Sequence, residues 1–233
     1  LNLDDLRTRF RVPMRIDNDA NLGALAEHWW GSAKNLANFA YVKVATGIGS
    51  GHFVNGAIYR GATGVAGELG HVAIDARGAL CNCGNRGCLQ TYIGTRALLD
   101  RALSLRSQYP GSRLAGVDAL TILELEEAAL ADDPLALAVV SEVAEYLGIA
   151  IAGMVNLMNP SAVIIGGGIA RLGEKLLAPL RATVLRRTFV GASAASEIRT
   201  SDLGPRDVAI GAATLLLDAA LQDPSLFPTG AKT

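Results

Sequence analysis

Between Pro134 and Met158, Val139, Val143, Leu147, Ile151, Met154 and Met158 recur at steps of four, four, four, three and four. That spacing is the apolar stripe of one long helix. "SAVIIGGG" follows, a continuous apolar run closing in a glycine turn, which predicts a buried strand. Upstream, "NFAYVKVATGIGSGHFVNGAIYRG" alternates β-rich runs with glycine turns and predicts two or three antiparallel strands. Polar "DNDAN" leading into "LGALAEHWW" predicts a capped helix over Asp17–Trp30. Helical patterns recur over 91–107, 119–131, 172–187 and 207–221, with a short strand at 197–200. The opening "LNLDDLRTRFRVPMRI" reads as a piece of helix, a proline and a strand, and "DPSLFPTGAKT" as a loose tail. Residues 61–90 are glycine-rich and irregular, a loop length associated with function. Strands first, then alternating helices and strands, imply an α/β domain with a mixed sheet.

Composition narrows the function classes. Half of the 233 residues are hydrophobic and 18% are charged, so the chain is globular rather than disordered. With 21 basic against 22 acidic residues and no Lys/Arg run, nothing points to direct binding of nucleic acid or an anionic membrane. Tyr146 to Ala170 carries no charge for 25 residues, long enough to span a bilayer. Asn156, Asn159, Pro160 and the glycines of 166–168 interrupt it, so a helix ending at Asn-Pro and then a buried strand explain it better. The first residue is Leu and no signal-peptide layout follows, as expected of a chain entering mid-protein. Three clustered cysteines make no disulfide framework, and the expected compartment is the cytoplasm.

All three cysteines lie in "CNCGNRGCLQ", at Cys81, Cys83 and Cys88, with His71 ten residues before the first. One imidazole and three thiolates complete a tetrahedral zinc shell with no open position, so the ion would be structural. Small buried thiols or a redox C-x-C are the alternatives, but a redox pair does not require Cys88 and His71. The metal loop is flanked by Glu68 in "GELGH" and by Gln90, which it would aim. In "DNDAN", Asn18 and Asp19 offer either a helix cap or a hydroxyl contact with a general base. "ATGIGSG" (Thr46, Gly47, Gly49) and "IIGGG" (Gly166, Gly167, Gly168) are glycine turns whose N–H groups can approach a phosphate or base. Neither is a Walker or Rossmann motif.

Together, "DNDAN", "ATGIGSG", "GATGVAGELGH", "CNCGNRGCLQ" and "NLMNPSAVIIGGG" resemble, in order over about residues 12–215, the ROK family of repressors, open reading frames and kinases. The combination of GELGH with C-x-C-G-x-x-G-C is the specific part; the glycine turns only support it. The resemblance implies the actin/hexokinase-type (ribonuclease H-like) ATPase fold of two α/β lobes, with sugar and nucleotide in the cleft. It makes this chain the second lobe: a lead-in over 1–15 from a missing N-terminal lobe, a sugar-binding lobe over 16–221 and a flexible tail over 222–233. It also implies Asn18 as sugar contact, Asp19 as catalytic base, and Glu68 and His71 as sugar-hydroxyl contacts. His71 would double as zinc ligand with Cys81, Cys83 and Cys88. Thr46, Gly47 and Gly49 would face phosphate, and Gly166, Gly167 and Gly168 the adenosine. Two departures stand out. The kinases' Asp-x-Gly-Gly-Thr motif does not occur, and Gln90 stands, as an altered sugar contact that donates as well as accepts, where members usually carry a sugar-contacting Glu.

The expected function is the sugar-sensing, effector-binding domain of a ROK-type transcriptional regulator. Such a protein would be a homo-oligomer, touching DNA only through a segment outside this chain and no membrane. The alternative is one lobe of an ATP- and magnesium-dependent hexose kinase of the glucokinase or N-acetylhexosamine type, with Asp19 as general base and no turnover expected of this lobe alone.

Overall fold

A computed structural model describes residues 3–189 and 196–226. The strands β1 (Phe39–Val44), β2 (Ile48–Val54), β3 (Ala57–Tyr59), β4 (Ala162–Gly166) and β5 (Glu197–Thr200) form one sheet in the order β3-β2-β1-β4-β5. The first three pair antiparallel, while β4 runs parallel to β1 and to β5, with Tyr41 opposite Ile164. The mixed sheet read from the sequence is therefore present, with three strands in the antiparallel part.

Eight α-helices accompany it among the described residues: α1 (Leu3–Phe10), α2 (Asp19–Trp29), α3 (Gln90–Ile93), α4 (Thr95–Leu105), α5 (Ile122–Leu130), α6 (Pro134–Met158), α7 (Glu174–Arg187) and α8 (Asp207–Gln222). Alternation along the central strands sends Ala40, Val42, Val44, Val163 and Ile165 to one face, where α4 to α7 pack. It sends Phe39, Tyr41, Ala162 and Ile164 to the other, under α2, which in turn packs on α8. Both faces are covered, so β1 and β4 read as nearly unbroken apolar runs.

Helix α6 is long and apolar enough to cross a membrane by length and composition. Here it lies against the sheet, with Val139, Val143, Leu147, Ile151 and Met154 buried; Met158, the last of the stripe, is exposed at the helix end. Asp133 caps its first turn, accepting from the Leu135 and Ala136 N–H groups, and Pro134 fills the position that needs no donor. Asn159 ends it in the left-handed conformation before Pro160.

Three expectations need correction. The helix expected over 91–107 is two, α3 and α4, because the chain breaks at Gly94 and turns the Thr95 N–H and hydroxyl onto the Ala45 carbonyl, at 3.3 and 3.1 Å. The helix expected from Asp17 starts at Asp19, with Asn18 as its cap. After α1 no strand follows Pro13, because residues 11–18 pair with no strand of the sheet. Of the tail, Pro224–Leu226 forms a 3-10 turn and 227–233 lie outside the described residues.

Candidate functional site

The β1–β2 hairpin at residues 45–47 is the hub of the candidate site. It lies at the edge where the parallel strands β1 and β4 end, the edge at which open α/β sheets bind ligands. Gly49 packs against Ala20 at the start of α2, Gly47 faces Gln90 at the start of α3, and Thr95 anchors on Ala45. The GELGH segment docks on the far side of β2. The Ser50 N–H donates to the Gly67 carbonyl at 2.7 Å, and the Ser50 hydroxyl at 3.0 Å. A side chain at Gly67, whose φ is +98°, or at Gly70 would strike the Ser50 or Ile48 carbonyl oxygen. Backbone-on-backbone docking thus fixes the segment that carries Glu68 and His71 against β2.

On the α2 side, Asn18 spends its side-chain oxygen capping the Ala20 N–H at 2.8 Å, the plainer of the two roles its sequence allowed. Its NH2 group is the part available to a ligand. Asp19 is half exposed, and Lys43 Nζ lies 2.6 Å from its Oδ2. Asp17 is bound by Arg60, by the Asn21 side chain at 2.8 Å and by the Asn18 N–H at 2.8 Å. Burial opposes the Asp17 charge, but these bonds outweigh it and hold the carboxyl below its ordinary range. Beneath this layer the buried Tyr41 hydroxyl donates to the buried Asp207 carboxylate, and burial first, then Asp207, drives the phenol well above its usual range.

On the loop side, His71, Cys81, Cys83 and Cys88 bring one ligand atom each to within 4.8 Å of one another. His71 Nδ1 lies 3.6 Å from the Cys81 sulfur, Cys83 lies 3.6 Å from Cys88, and His71 Nε2 points toward Glu68 at 3.9 Å. The Cys83 backbone N–H pulls the Cys81 thiol down to about 6, while burial pushes Cys88 up to about 12. Three soft thiolates and an imidazole at this spacing fit a tetrahedral zinc ion. Such an ion, if bound, would favour the thiolate of Cys88 as well. Gln90, expected to face a sugar, turns its amide to Cys81 and Asn82.

In the glycine turn at 166–168, Gly166 packs on the Tyr41 ring and Gly167 on the Val44 carbonyl. Gly168 lines a cavity of about 230 Å³ together with Thr46 and with apolar residues that include Leu98, Leu125 and Val143. Glu126 lines it too; burial raises its carboxyl, partly offset by Arg171 at 3.3 Å. Glu68 instead lines a separate hollow with Ser50, His52 and the end of α6. Sequence reasoning missed Lys43, Tyr41, Asp207 and Glu126. A lone lysine in the apolar run "FAYVKV" was the one available signal.

A ROK family profile matches residues 3–219. A xylose repressor of Caldicellulosiruptor bescii is 35% identical over 94% of this chain and 56% of its own length. Thus the chain spans about half the length of that relative. A ROK-family transcriptional regulator, described as a homologue of the E. coli MLC protein, superposes with a TM-score of 0.86 at 31% identity, covering 96% of this chain and 56% of that one. A ROK glucokinase of Streptomyces griseus, solved with glucose and AMPPNP, gives 0.84 at 31% identity, covering 91% and 70%.

Proposed function

Because this chain belongs to the ROK family, we propose that residues 16–221 are the sugar-binding lobe of a cytoplasmic, oligomeric transcriptional regulator. Residues 1–15 would lead in from a preceding lobe, and DNA would be read by a segment outside this chain. The polar groups around the hairpin suit a ligand dense in hydroxyls, where every unpaired donor or acceptor is penalised. Asn18 and Asp19 at the start of α2 would supply them, and Glu68 and His71 would reach the same ligand from the GELGH segment. A zinc ion on His71, Cys81, Cys83 and Cys88 would hold the GELGH and cysteine loops in register.

The observation that favours sensing over phosphoryl transfer is the Lys43–Asp19 pair. One carboxylate oxygen is committed to an ammonium at 2.6 Å, leaving the other for a hydroxyl. This fixes the direction of the carboxylate and leaves one oxygen to anchor a sugar hydroxyl. The regulator relatives, matched over 94% and 96% of this chain, agree with that role.

The likeness to the glucokinase and the intact Asp19 favour a second role, as one lobe of a kinase. Thr46, Gly47 and Gly49, with the turn at Gly166, Gly167 and Gly168, would then face ATP. Magnesium and ATP would supply the phosphoryl group and its charge compensation, and Asp19 would accept the hydroxyl proton. One lobe alone cannot close over ATP and sugar, so no sugar-dependent ADP is expected of this chain under either role. The test therefore titrates the chain separately with magnesium-ATP and with glucose, xylose or N-acetylglucosamine. Sugar binding without nucleotide binding supports the sensor role, and saturable magnesium-ATP binding would favour the kinase role instead.

A further inference from the structure

Gln90 is the first residue of α3, and its side chain bridges two loops. Its Nε2 lies 3.1 Å from the Cys81 sulfur and 2.7 Å from Asn82 Oδ1, which occupies both amide hydrogens. Its Oε1 lies on the hairpin side, 4.0 Å from where a Cβ on Gly47 would sit. A carboxylate of the same length has no hydrogen to give and would set a second anion beside the thiolate.

We infer that Gln90 is a positioning residue of the metal site. Its amide holds the Cys81 sulfur and the Asn82 side chain, and its carbonyl oxygen alone serves the ligand side of the hairpin. This rests on the metal reading of the four-residue cluster. A neutral N–H on a metal-bound sulfur withdraws charge from it and fixes its direction, as other outer partners do for metal ligands. On the ligand side, position 90 then accepts from a hydroxyl but cannot donate to one. Specificity at this point differs from that of a freely rotating amide.

The test loads the wild-type chain and the Gln90→Glu and Gln90→Met variants with zinc or cobalt(II). It follows zinc release to a chelator and the thiolate-to-cobalt charge-transfer band, with circular dichroism as the fold check. Both variants are expected to release zinc at least about tenfold faster, the usual scale for losing an outer partner of a ligand. Both should also shift the cobalt band, which a merely structural role would leave in place. Two folded variants with wild-type release and an unmoved band would overturn the role of Gln90 while leaving the metal reading intact. A wild-type chain that takes up neither metal would overturn both.

Discussion

Replacing Asp133 by Ala strikes the start of the longest helix. Asp133 is 5% exposed, and its carboxylate accepts from Leu135 N at 3.0 Å, Ala136 N at 3.1 Å, Arg113 N at 2.8 Å and the Ser112 hydroxyl at 2.8 Å. Losing the cap costs about 1–2 kcal/mol. Orphaning the Arg113 N–H and the buried Ser112 hydroxyl adds about 1–2 kcal/mol, since the hydroxyl can turn elsewhere. The sum, about 2–4 kcal/mol, corresponds to a melting point lower by roughly 5–15 °C for a chain of this size. Asp133→Asn retains a capping oxygen and should cost about 1 kcal/mol. Burial opposes the Asp133 charge, but its hydrogen bonds win and hold the folded-state carboxyl below its ordinary value. Its charge therefore stabilises the fold above the unfolded carboxyl's pKa, about 4, and that contribution fades as pH falls through the lower folded value. Urea melts at pH 7 and pH 3 check both points. An Ala variant within about 0.5 kcal/mol of wild type at pH 7 would refute the capping account. So would a wild-type advantage over Asn that grows at pH 3.

Two further outcomes follow from the site. Gly70→Ala places a Cβ 2.3 Å from the Ile48 carbonyl oxygen, a backbone atom that cannot swing aside. It should cost about 1–3 kcal/mol and weaken zinc uptake, and normal uptake would break the link between that docking and the metal loop. Chelation should lower the melting temperature of zinc-loaded protein, because structural zinc contributes to folding directly. An unchanged melt after verified zinc removal would deny the ion a structural role.

Local chemistry made some parts legible in the sequence. The α6 stripe, Pro134 at its start and Asn159-Pro160 at its end mark that helix through nearest-neighbour rules, and four of its buried positions lie in a single register. The cluster of His71, Cys81, Cys83 and Cys88 was visible because those residue types seldom sit together without a ligand. The pairs that set the chemistry of the cleft were not. Lys43 meets Asp19 across 24 residues and Tyr41 meets Asp207 across 166, distances fixed only by strand pairing and helix docking. Gln90 was recognised as a departure, but the direction of its amide depends on how the cysteine loop folds back. The break at Gly94 was hidden because its cause, the Ala45 carbonyl, belongs to a different strand end.

The central claim is that the groups around the hairpin bind a sugar, and the most direct test is calorimetric titration of this chain with xylose, glucose and N-acetylglucosamine. Wild type should bind at least one of them saturably, and a folded Asp19→Ala variant should lose about tenfold or more in affinity, the scale of one hydrogen bond to a charged group. Absence of binding to all three, or binding untouched by Asp19→Ala, would contradict the account.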